Sequence, residues 1–502
     1  MLTTDHPFIE LSQIEQLDPN NNPAHLKILS QLQGNILAGY DCDYTVYVCL
    51  KFKAQQVETT KTWIRNFATE KLTSAQQQWE IAAQINHPLA NNLFTNFLLS
   101  GQGYIYLGLK TAEEIAWGVN TFWEMFFRDG LKNNPLLHDP PPQAWEPRWQ
   151  VDIDALVSLA HNDASKLLIA TQELIKQVSE FAQVVNIDVG YNKKSPEGHV
   201  IEHFGFRDGI SQPLFFQQDL DNSGSTEYWN PSAPLGLVLV EEEDLCGNNQ
   251  YYYGSYCVYR KLEQNVAGFE QALQELAQQL GLTGKAGEER AAALVMGRYR
   301  DGTPLSPLPA DANSNNFNYI DDPHGNCCPL QAHSRKANPR GSKNKRNESL
   351  AEQRQHRIVR RGLSYWETRE LQQPYPDETP DLLLQRKIDF LMAKAKADQL
   401  HGKLTSGEDK VGLLFLCFQN SIFKQFVHIQ SVWANDNHFS THEVGLDPVI
   451  GQPKPHQPHQ GQWWSTTAVP KSKVNYNFSQ LVTMTGGEFL FAPSLIFLQH
   501  LY

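Results

Sequence analysis

A chain of 502 residues with 41% hydrophobic and 19% charged residues can bury a large core and has the balance of a globular protein, which excludes a disordered or coiled-coil chain. A net charge of −13 argues against a general nucleic-acid or anionic-membrane surface, since both need a basic face, and leaves small molecules as the expected partners. Seven scattered cysteines make no disulfide framework, no basic-then-apolar leader is visible, and no apolar run reaches bilayer length, so a cytoplasmic protein without a membrane segment is expected.

In chain order, residues 1–30 read as a polar lead-in, with a short helix at 24–33 ended by Gly34. Residues 44–52, YTVYVCLKF, have the β-branched and aromatic enrichment of a strand, and 54–71 read as a helix. Residues 94–109 read as two strands around the turn Ser100-Gly101-Gln102-Gly103. Alternation from Trp149 leads to Asp163, placed to cap a helix over 164–178. A second pass begins after Pro231 and Pro234, with strands at 235–241 and 254–260. A helix at 266–280 follows, spaced by Phe269, Leu273, Leu276 and Leu280. Strand, helix and strand in each half predict an α+β fold of two domains with antiparallel sheets, residues 31–230 and 231–502. Within the second, 367–410 reads as an insertion making a surface excursion, with an amphipathic helix at 382–400, before a strand at 412–418.

The chemistry gathers in three stretches. Residues 327–340, CCPLQAHSRKANPR, place His333 after a proline-bounded turn and before a basic cluster. Upstream lies EHFGFRDGISQP at 202–213, and downstream HRIVRRGLSY at 356–365. A lone histidine or a lone GxxDG carries little. Three motifs in this order, joined by GRYRDGTPL at 297–305, resemble the dye-decolorizing peroxidases, and the resemblance runs from LQGNIL at 32–37 almost to the last residue.

That resemblance implies two ferredoxin-like domains, with haem b held mainly by the second. It makes His333 the proximal ligand of the haem iron, Asp208 the distal acid/base and Arg360 the distal cation. Gly205, Gly209, Ser211, Arg335, Leu413 and Phe415 become cofactor contacts, the two glycines because they bring backbone close to a flat macrocycle. On sequence alone, Leu413 and Phe415 are core, and FRDG is a good turn. Metal-bound histidines hand their second N–H to a carboxylate, and Asp447 is favoured over Asp436 and Glu443 for that role. Where many relatives carry an acid in FEFIQ, this chain reads Phe426-Val427-His428.

The expected reaction is oxidation of phenols and anthraquinone-type dyes by hydrogen peroxide in one-electron steps. A carboxylate base, with an ordinary pKa near ~3.9 against ~6.5 for imidazole, suits an acidic optimum. Tyr365 and Trp366 are candidate surface aromatics for electron exit. Between 335 and 361, ten Lys and Arg residues face only Glu348 and Glu352, and the ends of this run suit haem propionates. Two rival readings remain: a non-catalytic haem protein, needing His333 but not both Asp208 and Arg360, and a zinc protein using His324, Cys327, Cys328 and His333. No signal for an oligomeric state is present.

Overall fold

The computed structural model describes residues 11, 14, 16–83, 92–109, 124–242, 252–306, 308, 315–401, 409–439, 444–454, 461–465, 473–478 and 481–502. Its strands are β1 (Tyr44–Phe52), β2 (Phe94–Ser100), β3 (Ala155–His161), β4 (Ala182–Tyr191), β5 (Val240–Glu242) and β6 (Tyr252–Gln264). They continue with β7 (Val359–Arg360), β8 (Leu363–Thr368), β9 (Asp409–Gln419), β10 (Trp463–Ser465), β11 (Lys473–Asn475) and β12 (Val482–Ala492). Each ladder between them is antiparallel.

β6 pairs with β12 on one side and with β9 on the other, so the run β6-β12-β2-β3-β1-β4-β8-β9 returns to its start. Eight strands thus close into a barrel, with β5 and β7 beside β6 and β9 and a separate β10-β11 ribbon. This is one closed sheet, where the sequence reading expected two separate ones. The halves nonetheless repeat a strand order: β4-β1-β3-β2 in the first and β12-β6-β9-β8 in the second. They meet at short seams, through Tyr191 opposite Ser364 and through Ser100 and Leu99 opposite Leu490 and Phe491.

The helix Ala164–Val178 begins where expected, because the Asp163 side chain accepts from the backbone N–H groups of Ser165 and Lys166. Leu167, Leu174, Ile175 and Val178 give it one buried face. The expected second strand of 94–109 is instead a helix, Gly101–Tyr106, with Ser100 accepting from Gly103 N–H. Its glycines answer to packing: a Cβ on Gly103 would lie 2.1 Å from the Asp154 carbonyl oxygen. Likewise, 235–241 yields only a helical turn at Leu235–Leu237 before the short β5.

The helix Pro380–His401 is no surface excursion. Leu383, Leu384, Ile388 and Leu391 are buried, and Lys387 reaches Glu367 of β8 and the Ile187 carbonyl of β4. It covers the weak seam between the halves. Among the described residues no helix is long and apolar enough to cross a membrane.

Candidate active site

Side chains alternate across a strand, and β6 and β9 use that alternation to separate two environments. Lys261 of β6 meets Asp188 of β4 and Glu367 of β8, which are not its neighbours in the sheet, so the contact runs through the inside of the barrel. Arg260, Leu262 and Gln264 face the other way and line a cavity on the outer wall. Opposite them Phe415 pairs with Arg260 and Leu413 with Leu262, and both line the same cavity.

His333 opens the helix His333–Ala337 and also lines this cavity. Its Nδ1 lies 2.9 Å from Asp447 Oδ2, and the Asp447 side chain is fully buried. Asp447 is oriented before it meets the ring, because Oδ1 accepts from the N–H groups of Val449 and Ile450 in a tight Asx-type turn. Burial alone would raise this carboxyl, but the imidazole and those two amides hold it below the usual carboxylate range. A carboxylate acceptor fixes the proton on Nδ1 and leaves Nε2 with its lone pair.

Asp208 and Arg360 meet on another part of the wall, with Arg360 Nη1 3.3 Å from Asp208 Oδ1. Gly209 N–H donates to the same oxygen at 2.6 Å, and Arg360 Nη2 donates to the Ile210 carbonyl at 2.8 Å. Among the described residues no hydrogen bond to Oδ2 is formed. Gly205, Gly209 and Ser211 all have positive φ, of 88°, 76° and 66°, so the 202–213 loop bends through left-handed conformations. At Gly205 the neighbour of an added Cβ is the Arg300 side chain, 3.2 Å away, so this glycine serves protein packing rather than approach to a ligand.

Two further site residues were not singled out from the sequence. Gln212 clamps Arg360, accepting from its backbone N–H and donating to its carbonyl, both at 3.1 Å. Gly362 packs beside the acid, a Cβ there standing 3.4 Å from Asp208 Oδ2, in ordinary van der Waals contact. Both lie inside the quoted motifs, at 202–213 and 356–365.

Arg335 departs from expectation. It is 1% exposed and ion-paired to Asp322, with Ser342 and the Cys328 carbonyl as further acceptors. Two residues along a helix turn a side chain to the opposite face, so with His333 toward the cavity Arg335 points away from it. Arg340 takes the cavity position instead, with Ser211 Oγ and the carbonyls of Asn315 and Phe317 as acceptors. Tyr365 and Trp366 are 0% and 2% exposed, so neither is a surface aromatic. The zinc set does not assemble: among the described residues the group with converging metal-ligand atoms is Glu348, His356 and His428.

Residues 226–445 match the family described as Dyp-type peroxidase, C-terminal. Multifunctional dye peroxidase DyP2 of Amycolatopsis sp. is 33% identical over 491 residues, which cover 94% of this chain and 96% of that protein. The chain belongs to the dye-decolorizing peroxidases. A dye-decolorizing peroxidase of Mycena epipterygia is 30% identical over 487 residues, covering 88% of this chain and 81% of that one. The crystal structure of a DyP-type peroxidase from Anabaena sp. matches with a TM-score of 0.79 at 36% identity, over 97% of each chain.

Dye-decolorizing peroxidases are haem enzymes, and the donor set here fits that group. An imidazole with Nδ1 held by a buried carboxylate is a suitable iron ligand. Arg340 and Arg357 line the cavity, and burial, reinforced for each by a neighbouring arginine, pushes each guanidinium down to about 9. Among the described residues neither has a carboxylate at ion-pair distance, a deficit that an anionic ligand group would satisfy.

Proposed function

We propose that this dye-decolorizing peroxidase binds haem b through His333 and uses hydrogen peroxide to oxidise phenols and aromatic dyes in one-electron steps. The observation that carries the reading is the Asp208–Arg360 pair on the wall of the same cavity as the His333–Asp447 pair. The repeated strand order supports two ferredoxin-like units, residues 31–230 and 231–502, with most haem contacts on the second.

Haem held by His333 would supply the redox chemistry between peroxide and the reductant. The protein supplies the proton transfer. Asp208 Oδ2, the oxygen with no hydrogen bond among the described residues, takes the proton from one peroxide oxygen and returns it to the other. Arg360 holds the carboxylate from the side and offers a permanent positive charge to the oxygen that receives this proton and leaves as water. Asp447 keeps the His333 proton on Nδ1, which makes the ligand nitrogen more basic. A carboxylate base remains ionised in mild acid, which favours an acidic optimum. A cytoplasmic setting is supported by the absence of any disulfide among the described cysteines.

The decisive experiment is rapid mixing of the haem-loaded enzyme with hydrogen peroxide, followed by turnover of a phenol and an anthraquinone dye. Asp208→Asn is expected to slow the peroxide reaction by about 10²–10⁴-fold while leaving the haem absorption band in place. A variant as fast as the wild type would remove Asp208 from the mechanism.

A further inference from the structure

Glu348, His356 and His428 lie outside the haem cavity, and the peroxidase reaction has no use for them. We propose that they form a binding site for one divalent transition-metal ion of the zinc class. One carboxylate oxygen and one nitrogen from each imidazole all fall within 4.8 Å of one another. Glu348 Oε1 stands 3.3 Å from His428 Nε2 and 3.9 Å from His356 Nε2. Two ligands about 2.1 Å from a tetrahedral ion are about 3.4 Å apart, so the three atoms are already near coordination spacing.

The atoms around the trio leave the right lone pairs available. His356 donates Nδ1–H to the Lys424 carbonyl, which fixes its tautomer and leaves Nε2 as an acceptor. Glu348 Oε2 is occupied by Asn344 Nδ2 at 2.6 Å and by Trp433 Nε1 at 3.2 Å, which leaves Oε1 to the two rings. Outer partners of this kind orient metal ligands. His428 provides an independent sign. It is 5% exposed, yet its buried Nε2 forms no well-directed hydrogen bond among the described residues, although Glu348 Oε1 lies 3.3 Å away.

The rings stack in parallel, with centroids 3.7 Å apart and planes 4° apart. Lone pairs in parallel planes do not meet at a point. Capture of an ion therefore turns one ring out of the stack, and His356, with 17% of its side chain exposed against 6% for His428, is the one that can move. Two imidazoles and one carboxylate favour zinc-class ions over calcium, which takes oxygen ligands. The site also ties the haem cavity's wall together. His356 precedes Arg357, Ile358 and Arg360, and His428 sits between Phe426 and Ile429, all five of which line that cavity.

The test is calorimetric titration of the haem-loaded enzyme with zinc chloride and, separately, calcium chloride. One zinc ion per chain and no calcium binding are expected, with zinc affinity at least about tenfold lower in Glu348→Gln and in His356→Asn. The double variant His456→Asn/His459→Asn, in the His- and Pro-rich sequence KPHQPHQ at 454–460, is expected to bind zinc as the wild type does. Should Glu348→Gln lose its cooperative thermal transition, His356→Asn, at a half-buried position, decides alone. Absence of zinc binding in the wild type would reduce the trio to an ion pair and overturn the proposal. Zinc binding that survives in both single variants, or that disappears in the His456/His459 double variant, would overturn it equally.

Discussion

Lys261 and Arg260 are adjacent on β6, yet one lies inside the barrel and the other on the cavity wall. On that wall Arg260 pairs with Asp139 and Arg360 with Asp208, but two further arginines are left without an acid among the described residues. Inside, Lys261 reaches Glu146 and Glu367 at 2.8 Å and Asp188 at 3.1 Å, while Lys387 reaches Glu367 at 2.7 Å and Asp188 at 3.6 Å. Two ammonium groups face three carboxylates. Burial pushes Glu146 up to about 7, against the pull of Lys261, with Glu367 and Asp188 adding to the rise. Although burial alone would raise them too, Asp188 and Glu367 are held below the usual range by Lys261 and Lys387. One proton on Glu146 makes the group neutral. On the cavity wall, Arg340 and Arg357 have carbonyl and hydroxyl acceptors but no acid among the described residues. Charge that closes on itself holds a fold together, whereas charge left open marks where a ligand belongs.

Lys261→Met breaks the closed side and has the largest expected effect on stability. It leaves three buried carboxylates with one lysine and is expected to cost about 3–5 kcal/mol, read as a lower urea midpoint. Arg340→Leu tests the open side. Haem titration is expected to show affinity lower by about 10–100-fold, the worth of a charge-assisted hydrogen bond, while the haem-free protein keeps or gains stability. Equal losses in both forms would make Arg340 structural and erase the contrast. The smallest effect is a pH dependence. A carboxyl raised from 4.5 to about 7 on folding contributes stability that is full below 4.5 and is lost as pH rises through about 7. Thermal midpoints measured across that window are expected to fall more steeply for wild type than for Glu146→Gln, by a few degrees in all.

What could be read from the sequence divides along similar lines. Asp208, Arg360 and His333 sit in dense local motifs, and Asp447 sits in a turn whose aspartate has an obvious backbone task. Local caps were legible too, as Asp163 demonstrates. Barrel closure was not, because pairing of β6 with both β9 and β12 joins segments far apart in the chain, and strand periodicity says nothing of partners. The reading of Arg335 as a cofactor contact failed on side-chain direction, which requires knowing where the short helix begins. The turn reading of Ser100-Gly101-Gln102-Gly103 failed because these glycines serve close packing against Phe127 and Asp154, which no local pattern reveals.

β12 follows every other barrel strand in the chain and closes the ring between β6 and β2. While the protein is being synthesised, both of those strands therefore wait with an unpaired edge, and unpaired edges recruit other chains. After β9 has emerged and before β12 has, β2 and β6 still present these unpaired edges. Translation slowed between those two strands lengthens that interval, and a chaperone that shields β2 and β6 shortens its consequences.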